Sequence, residues 1–215
     1  MAKLALPEPR EYGWTLKRLS SAKTTVRRDS VGGIDIEIEH SIIRGVSVEM
    51  LAWWFQHLDK ELMFRGEKLP VYLLWHPYDH VNVEATRDGA GRIAPGSTIH
   101  VHEVFGRDAR FVVKEAFGVH RWDSGGIGLN MEVPGVRLAQ LDHEFRDVDG
   151  GVRYHTRAHL GAPGVLGALV NALVIPLKFD DDKIGAWLTH NVEEVGNFEN
   201  FLPELYAAAH VAKAA

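Results

Sequence analysis

Five strand-like segments follow one another in the second half of the sequence, and this succession limits the fold more than any other feature. They cover residues 97–105, 110–119, 125–132, 136–145 and 151–160. The links between them are short and rich in turn residues, such as Pro134 with Gly135 and Asp149 with Gly150. Short links join antiparallel neighbours, because a parallel pair needs a long crossover. The pattern therefore predicts an antiparallel meander.

The segments around the meander predict how it is covered. Alternating isoleucines and charged residues predict a half-buried strand over 34–42, and Ser47 opens a helix. Residues 71–75 form a short apolar run that we interpret as a strand. Asp180, Asp181 and Asp182 begin a long helix that runs past His190. This order predicts an α+β fold, in which a curved antiparallel sheet wraps around a long C-terminal helix. We expect an N-terminal arm over 1–32 and one domain over 33–215.

Composition excludes several classes of function. The chain has 215 residues, a net charge of -5 and no run of basic residues, so we expect no nucleic-acid partner. Cysteine is absent while there are 12 histidines, so any metal must be held by His, Asp or Glu.

The most apolar stretch is not expected to enter a membrane. It covers 162–177 and is interrupted by Pro163, Asn171 and Pro176, which indicates a buried helix or a flap over a pocket. No signal-peptide pattern is visible at the N-terminus, and we expect a cytoplasmic protein.

Strand alternation predicts which polar side chains point into the sheet's apolar face. Glu103, Glu115, His143, Tyr154 and His40 all share a face with apolar neighbours. An inward carboxylate is costly unless it is paired, protonated or bound to a metal. For Glu115 and His40 we favour a buried hydrogen bond, and for Glu103 we favour a metal.

The remaining candidate ligands lie on the last helix and in one turn. His190 and Glu194 are four residues apart, so they share a helix face and can bind one ion. A further ligand is expected from the turn at residues 75–80, which offers both His76 and His80, with Asp79 as a carboxylate that could orient an imidazole.

Together these motifs resemble a known family. Trp53, Trp54 and Phe55, the residues His76-Pro77-x-Asp79-His80, the inward Glu103, and His190-x-x-x-Glu194 are similar to the 2,4-diacetylphloroglucinol hydrolase family, which includes phloretin hydrolase. The resemblance covers about residues 34–206. It implies a Bet v 1-like helix-grip fold, a zinc ion held by two His and two Glu, and cleavage of the carbon–carbon bond between an aromatic ring and an acyl group.

The resemblance also implies roles for individual residues. The zinc ligands would be His80, Glu103, His190 and Glu194, with His76 as the alternative to His80. His143 would be the catalytic histidine near the acyl group, and Tyr72 and Tyr154 would contact the substrate, a small aromatic ketone.

Two other functions remain open at this point. One is a non-catalytic helix-grip protein that binds a ligand, and the other is a polyketide cyclase or aromatase using the same cavity. Aromatic residues around Trp53 and Trp54, expected at the surface, leave a homodimer open.

Overall fold

The computed structural model of the chain describes residues 6, 8–133 and 136–214. Nine of its strands form one large sheet, two form a hairpin, and five α-helices accompany them in this described part of the chain. The strands are β1 (Lys23–Arg28), β2 (Ile34–Glu39), β3 (Ile43–Arg44), β4 (Glu61–Phe64), β5 (Glu67–Pro70), β6 (His80–Ala85), β7 (Thr98–Val104), β8 (Val112–Asp123), β9 (Gly126–Val133), β10 (Val136–Val148) and β11 (Gly151–Leu160). The helices are α1 (Val48–His57), α2 (Tyr72–Trp75), α3 (Gly164–Leu173), α4 (Ile175–Lys178) and α5 (Asp181–Ala214).

The predicted antiparallel meander is confirmed. The large sheet has the order β1-β2-β11-β10-β9-β8-β7-β6, with β3 added beside β11. Each of the strands β7 to β10 pairs antiparallel with the next one in the chain. The turn predicted at Pro134 and Gly135 lies outside the described residues.

Helix α5 packs against the sheet through two hydrophobic clusters. One cluster joins Phe198 and Phe201 of α5 to Trp54 and Trp75, with ring centroids 5.1 Å apart for Trp54 and Phe198. The other joins Ile184, Leu188 and Val192 to the inward isoleucines of β2. Each fully buried large apolar side chain contributes roughly 1.5–3 kcal/mol, so both clusters stabilise the packing of α5 on the sheet. The predicted α+β, Bet v 1-like helix-grip fold is confirmed.

Trp54, one of the two tryptophans expected at the surface, is buried. Trp54 is fully buried, whereas Trp53 is half-buried and stacks on His57 with ring centroids 4.6 Å apart. The surface aromatic patch expected from the sequence is therefore smaller, and the homodimer stays a prediction.

The predicted strand at residues 71–75 is wrong. Tyr72–Trp75 is a helical turn, begun by the hydrogen bond from the Leu74 N–H to the Val71 carbonyl, 3.0 Å long. Tyr72, Leu74 and Trp75 are all buried, so the run has no polar face and shows no periodicity. Hydrophobicity alone does not distinguish strand from helix in such a short run.

Five strands were not predicted, one of them the two-residue β3. β1 lies in the segment expected to be an arm, yet it pairs with β2 along its whole length. β4 and β5 form a hairpin whose turn residues Arg65 and Gly66 have positive φ angles of 50° and 84°, as a two-residue type I′ turn requires. β6 pairs with β7 at one edge of the sheet.

The apolar stretch 162–177 forms α3 and most of α4. Leu169 and Leu177 are 63% and 87% exposed, so of the two predicted alternatives the buried helix is wrong. The Asn171 side chain of α3 accepts a hydrogen bond from the Ala162 N–H at 2.7 Å, which holds the helix against the segment that precedes it. Among the described helices, none combines the length and apolar character that a membrane crossing requires.

Candidate metal centre and cavity

Four predicted ligands meet on the inward side of the sheet. The strand register places His80 of β6 opposite Glu103 of β7, and their Nε2 and Oε1 atoms are 3.6 Å apart. On α5, His190 and Glu194 are one turn apart, and Glu194 Oε2 is 3.4 Å from His80 Nε2 and 3.6 Å from His190 Nε2. His190 Nε2 is 3.9 Å from Glu103 Oε2. Two imidazoles and two carboxylates therefore surround one point.

The hydrogen bonds of His80 determine which nitrogen faces the cluster. Its Nδ1 is 2.8 Å from the carbonyl oxygen of Tyr72, which can only accept, so Nδ1 carries the proton. In the neutral ring, Nε2 then presents a lone pair to the cluster. This Nε2 is buried and has no hydrogen-bond partner among the described residues. An orphaned imidazole nitrogen beside two carboxylates fits a metal such as zinc.

His190 is held in the same way from the opposite side. Its Nδ1 donates to Asp79 Oδ2 at 3.0 Å, and the same oxygen accepts the Gly106 N–H at 3.0 Å. Burial lowers the pKa of His190, but the charge of Glu194 and the Asp79 hydrogen bond outweigh it and raise that pKa to about 10. Glu194 shows the opposite balance. Burial raises the pKa of Glu194, but the charge of His190 lowers that pKa by more, so the net shift is downward. A metal ion would compete with a proton for His190 Nε2.

His76 is close by but is already satisfied. Its Nδ1 accepts the Asp79 N–H at 3.1 Å, so a neutral ring has its proton on Nε2, which lies 3.1 Å from Glu193 Oε2. His76, Asp79 and His190 also form a buried group spaced closely enough to hold an ion. Because both His76 nitrogens have partners, this group is better described as the support of His190.

A cavity extends from the cluster between the sheet and α5. Its volume is about 150 Å³. Apolar side chains such as Phe55, Phe117 and Trp187 line most of it, while Glu103 and His190 line the end at the cluster. A mostly apolar cleft with a few convergent polar groups is typical of small-molecule sites.

A protein-family model described as the DAPG hydrolase PhiG domain matches residues 37–207. The chain belongs to the DAPG hydrolase family. The matched region contains all four candidate ligands and every residue of the cluster. It agrees with the family to which the motifs pointed, and membership indicates a hydrolase.

Solved structures resemble the chain only distantly. Ara h 8.0201 is 13% identical with a TM-score of 0.46, and the match covers 82% of this chain and 100% of that one. Protein Ms6760 from Mycobacterium smegmatis is 12% identical with a TM-score of 0.46, covering 83% and 98%. The di-domain ARO/CYC protein StfQ of the steffimycin pathway is 8% identical with a TM-score of 0.48, covering 83% and 52%. These values are too low to support an inference about function, and no curated protein matched.

His143 lies in the cavity wall. The side chain is 3% exposed, and its Nδ1 lies 3.4 Å from Thr156 Oγ1, which is 3.1 Å from His40 Nε2. Burial lowers the pKa of His143 to about 4. The ring is therefore neutral near pH 7 and can donate one hydrogen bond.

The two predicted substrate tyrosines lie in different surroundings. Tyr72 lines the cavity, stacks on His80 with ring centroids 3.9 Å apart, and donates its hydroxyl to Glu103. Tyr154 points inward, as predicted, but it packs in the core against His143 and Phe145 and is not among the described cavity-lining residues. Its hydroxyl is buried and has no partner within the described part of the chain.

Sequence reasoning missed three polar residues of the cavity. Asn191 donates its Nδ2 to Glu194 Oε1 at 2.8 Å, while its Oδ1 is buried and finds no partner among the described residues. Lys178 and Lys183 line the end of the cavity that is remote from the cluster. The position of Asn191 beside His190 on a helix was the available signal, whereas the lysines looked like ordinary surface charges.

Proposed function

We propose that the protein is a zinc-dependent hydrolase that cleaves the carbon–carbon bond between the aromatic ring and the acyl group of acylated polyphenols. The observation that carries the proposal is the convergence of His80, Glu103, His190 and Glu194, with the lone pair of His80 Nε2 buried and unpartnered among the described residues. Membership of the DAPG hydrolase family supports the reaction type.

The hydrogen bonds support His80 over His76 as the fourth ligand. His80 directs a bare nitrogen at the two carboxylates, while His76 uses one nitrogen to accept from the backbone and the other to donate to Glu193. Tyr72, Asn191 and Asp79 each hold one ligand by a hydrogen bond. Such partners fix ligand orientation and raise metal affinity.

A zinc ion in such a site acts as a Lewis acid and makes water a nucleophile near neutral pH. The reaction adds one water across the aryl–acyl bond, so that the acyl carbon gains the hydroxyl group and the ring carbon gains a proton. The products are a carboxylic acid and the deacylated polyphenol. The protein must therefore bind the ring, polarise the acyl oxygen and supply a proton to the ring carbon.

His143 is our candidate for polarising the acyl oxygen and for supplying the proton to the ring carbon. When the Thr156 hydroxyl donates to His143 Nδ1, the proton of the neutral ring is on Nε2. That proton can hydrogen-bond to the acyl oxygen or pass to the ring carbon. The chain His143, Thr156 and His40 keeps the ring in one orientation. Phe55, 6.1 Å from His143, helps to exclude water from this part of the wall.

The cavity supports an aromatic substrate. Phe55, Phe117 and Trp187 offer faces on which a ring can pack, and Tyr72 brings a hydroxyl to the metal end. We propose that Tyr72 orients a phenolic oxygen of the substrate. Tyr154, packed behind His143, would act on the substrate through that histidine.

Metal content and turnover of single variants test the proposal. His80→Ala and Glu103→Ala should each bind less than about one tenth of the zinc of the native protein and lose hydrolysis of acetylphloroglucinols, because each removes a ligand. His100→Ala, on the same strand as Glu103 but exposed on the outer face, is the matched control and should keep both. Full zinc occupancy in His80→Ala would overturn the ligand set. Native zinc content without turnover of any acylated polyphenol would overturn the reaction.

A further inference from the structure

The face of α5 that lines the cavity changes character along its length. Lys183, Trp187, His190 and Glu194 all line the cavity, and their spacing of four, three and four residues places them on one helix face. At 1.5 Å per residue, Lys183 lies about 10 Å along the axis from His190. One end of this stripe therefore carries a cation, and the other carries the candidate metal ligands.

Two inward glutamates of the sheet are separated in the same way, one at the candidate metal ligands and one near the lysines. Glu103 pairs with Val113, and Glu115 lies two residues further along β8 on the same face, which is about 7 Å away. Glu115 is neutralised by Lys178, whose Nζ donates to Glu115 Oε1 at 2.5 Å. The Lys178 side chain is 30% exposed, so this pair marks the mouth of the cavity.

Lys183 lacks such a partner. Its Nζ is 3.5 Å from the Val112 carbonyl oxygen, and no carboxylate lies within ion-pair distance of it among the described residues. Burial and the neighbouring Lys178 charge lower the pKa of Lys183, while Glu115 and Asp180 act in the opposite direction. Asp180 is engaged as the helix cap, accepting the Lys183 N–H at 2.7 Å. An ammonium group has three donors, so most of those on Lys183 remain unused.

We propose that Lys183 is an anion subsite and that the preferred substrate is an aryl ketone whose acyl chain ends in a carboxylate. The inference rests on the proposed function, because it takes the ketone to lie at the His190 end. Between the two ends, Ile184, Trp187 and Phe179 offer an apolar passage for the linking carbon chain. A partly dehydrated cation at the end of an apolar passage suits a carboxylate better than a neutral end group.

Paired substrates test the subsite by activity. The probes are an acylphloroglucinol whose unbranched acyl chain ends in a carboxylate, and its methyl ester and primary amide. The zinc-loaded native protein should show a kcat/KM at least about tenfold higher for the carboxylate, the size of one charge-assisted hydrogen bond. Lys183→Met and Lys183→Gln should remove this preference, and Lys114→Met, an exposed lysine on the outer face of β8, should retain it. Equal kcat/KM values for the three probes in the native protein would overturn the subsite.

Binding measurements separate this inference from the proposed function. Quenching of tryptophan fluorescence, to which the cavity residue Trp187 contributes, reports the dissociation constant of each probe without turnover. If no probe is hydrolysed but the carboxylate binds at least about tenfold more tightly in a Lys183-dependent manner, the subsite stands and the hydrolase proposal fails. If all probes are hydrolysed and bind equally, the hydrolase stands and the subsite fails. A preference that persists in both folded Lys183 variants also overturns it.

Discussion

Removing the charge of Asp79 should weaken zinc binding without touching a ligand. Asp79 is 3% exposed, and its Oδ2 accepts from His190 Nδ1 and from the Gly106 N–H, both at 3.0 Å. Loss of such an outer partner typically costs about 10–100-fold in metal affinity, or about 1.4–2.7 kcal/mol. Asp79→Asn keeps an acceptor of the same size, so we expect a loss near tenfold. Asp79→Ala also leaves the Gly106 N–H unpaired, so its loss should approach a hundredfold.

The assay is a competition between the apo protein and a chromogenic zinc chelator at fixed pH. Asp35→Asn is the matched control, because Asp35 holds His159 at 2.7 Å in a similar carboxylate–histidine pair on the exposed face of the sheet. Its zinc dissociation constant should equal that of the native protein. Thermal unfolding of each apo variant checks that the fold is retained. A folded Asp79→Ala protein whose dissociation constant stays within about twofold of the native value would refute the idea that Asp79 positions His190.

Three further predictions concern His143 and its surroundings. His143→Ala should keep native zinc content but lose at least about a hundredfold in kcat; a near-native rate would remove His143 from the mechanism. Burial holds the pKa of His143 at about 4 and that of His40 at about 3, below about 6.5 in the unfolded chain. Protons therefore bind the unfolded state first as the pH falls, and at pH 5 each histidine should lower the free energy of unfolding by about 2 kcal/mol relative to pH 7. Urea unfolding of His143→Gln at both pH values should show a smaller loss than the native protein, and an equal loss would contradict the assignment. Gly126→Ala should sharply lower the urea midpoint, because a Cβ at this φ of 149° would lie 1.9 Å from the His143 carbonyl oxygen; an unchanged midpoint would contradict the close approach of β9 to β10 at this position.

The strands of the meander could be predicted because their two faces differ. In β11, buried and more exposed residues alternate from Gly151 to Leu160, and the predicted bounds agree with the observed ones. The turn of helix at Tyr72–Trp75 could not be predicted, because burial on all sides removes the periodicity on which the inference depends. β1 was missed for the opposite reason, since none of its residues is buried and its two faces show no strong contrast.

The site was predictable in its parts but not in its hydrogen bonds. Helix spacing identified His190 and Glu194, and alternation identified Glu103 as an inward carboxylate. The choice between His76 and His80 depends on which imidazole nitrogen carries a proton, and this follows only from the carbonyl of Tyr72 and the N–H of Asp79. Tyr154 shows the limit of alternation, because an inward side chain can end in the core instead of the cavity.

The placement of the polar turn of α5 between two apolar clusters has a mechanical consequence. Ile184, Leu188 and Val192 pack into the isoleucines of β2 on one side, and Phe198 and Phe201 pack among the tryptophans on the other. A slip of the helix by one turn, about 5.4 Å, would misalign both clusters at once. The packing of the two apolar clusters thus fixes the position of His190 and Glu194 along the helix axis. Ligand spacing is then a property of the folded chain, so binding energy from a metal ion need not be spent on bringing the helix to the sheet.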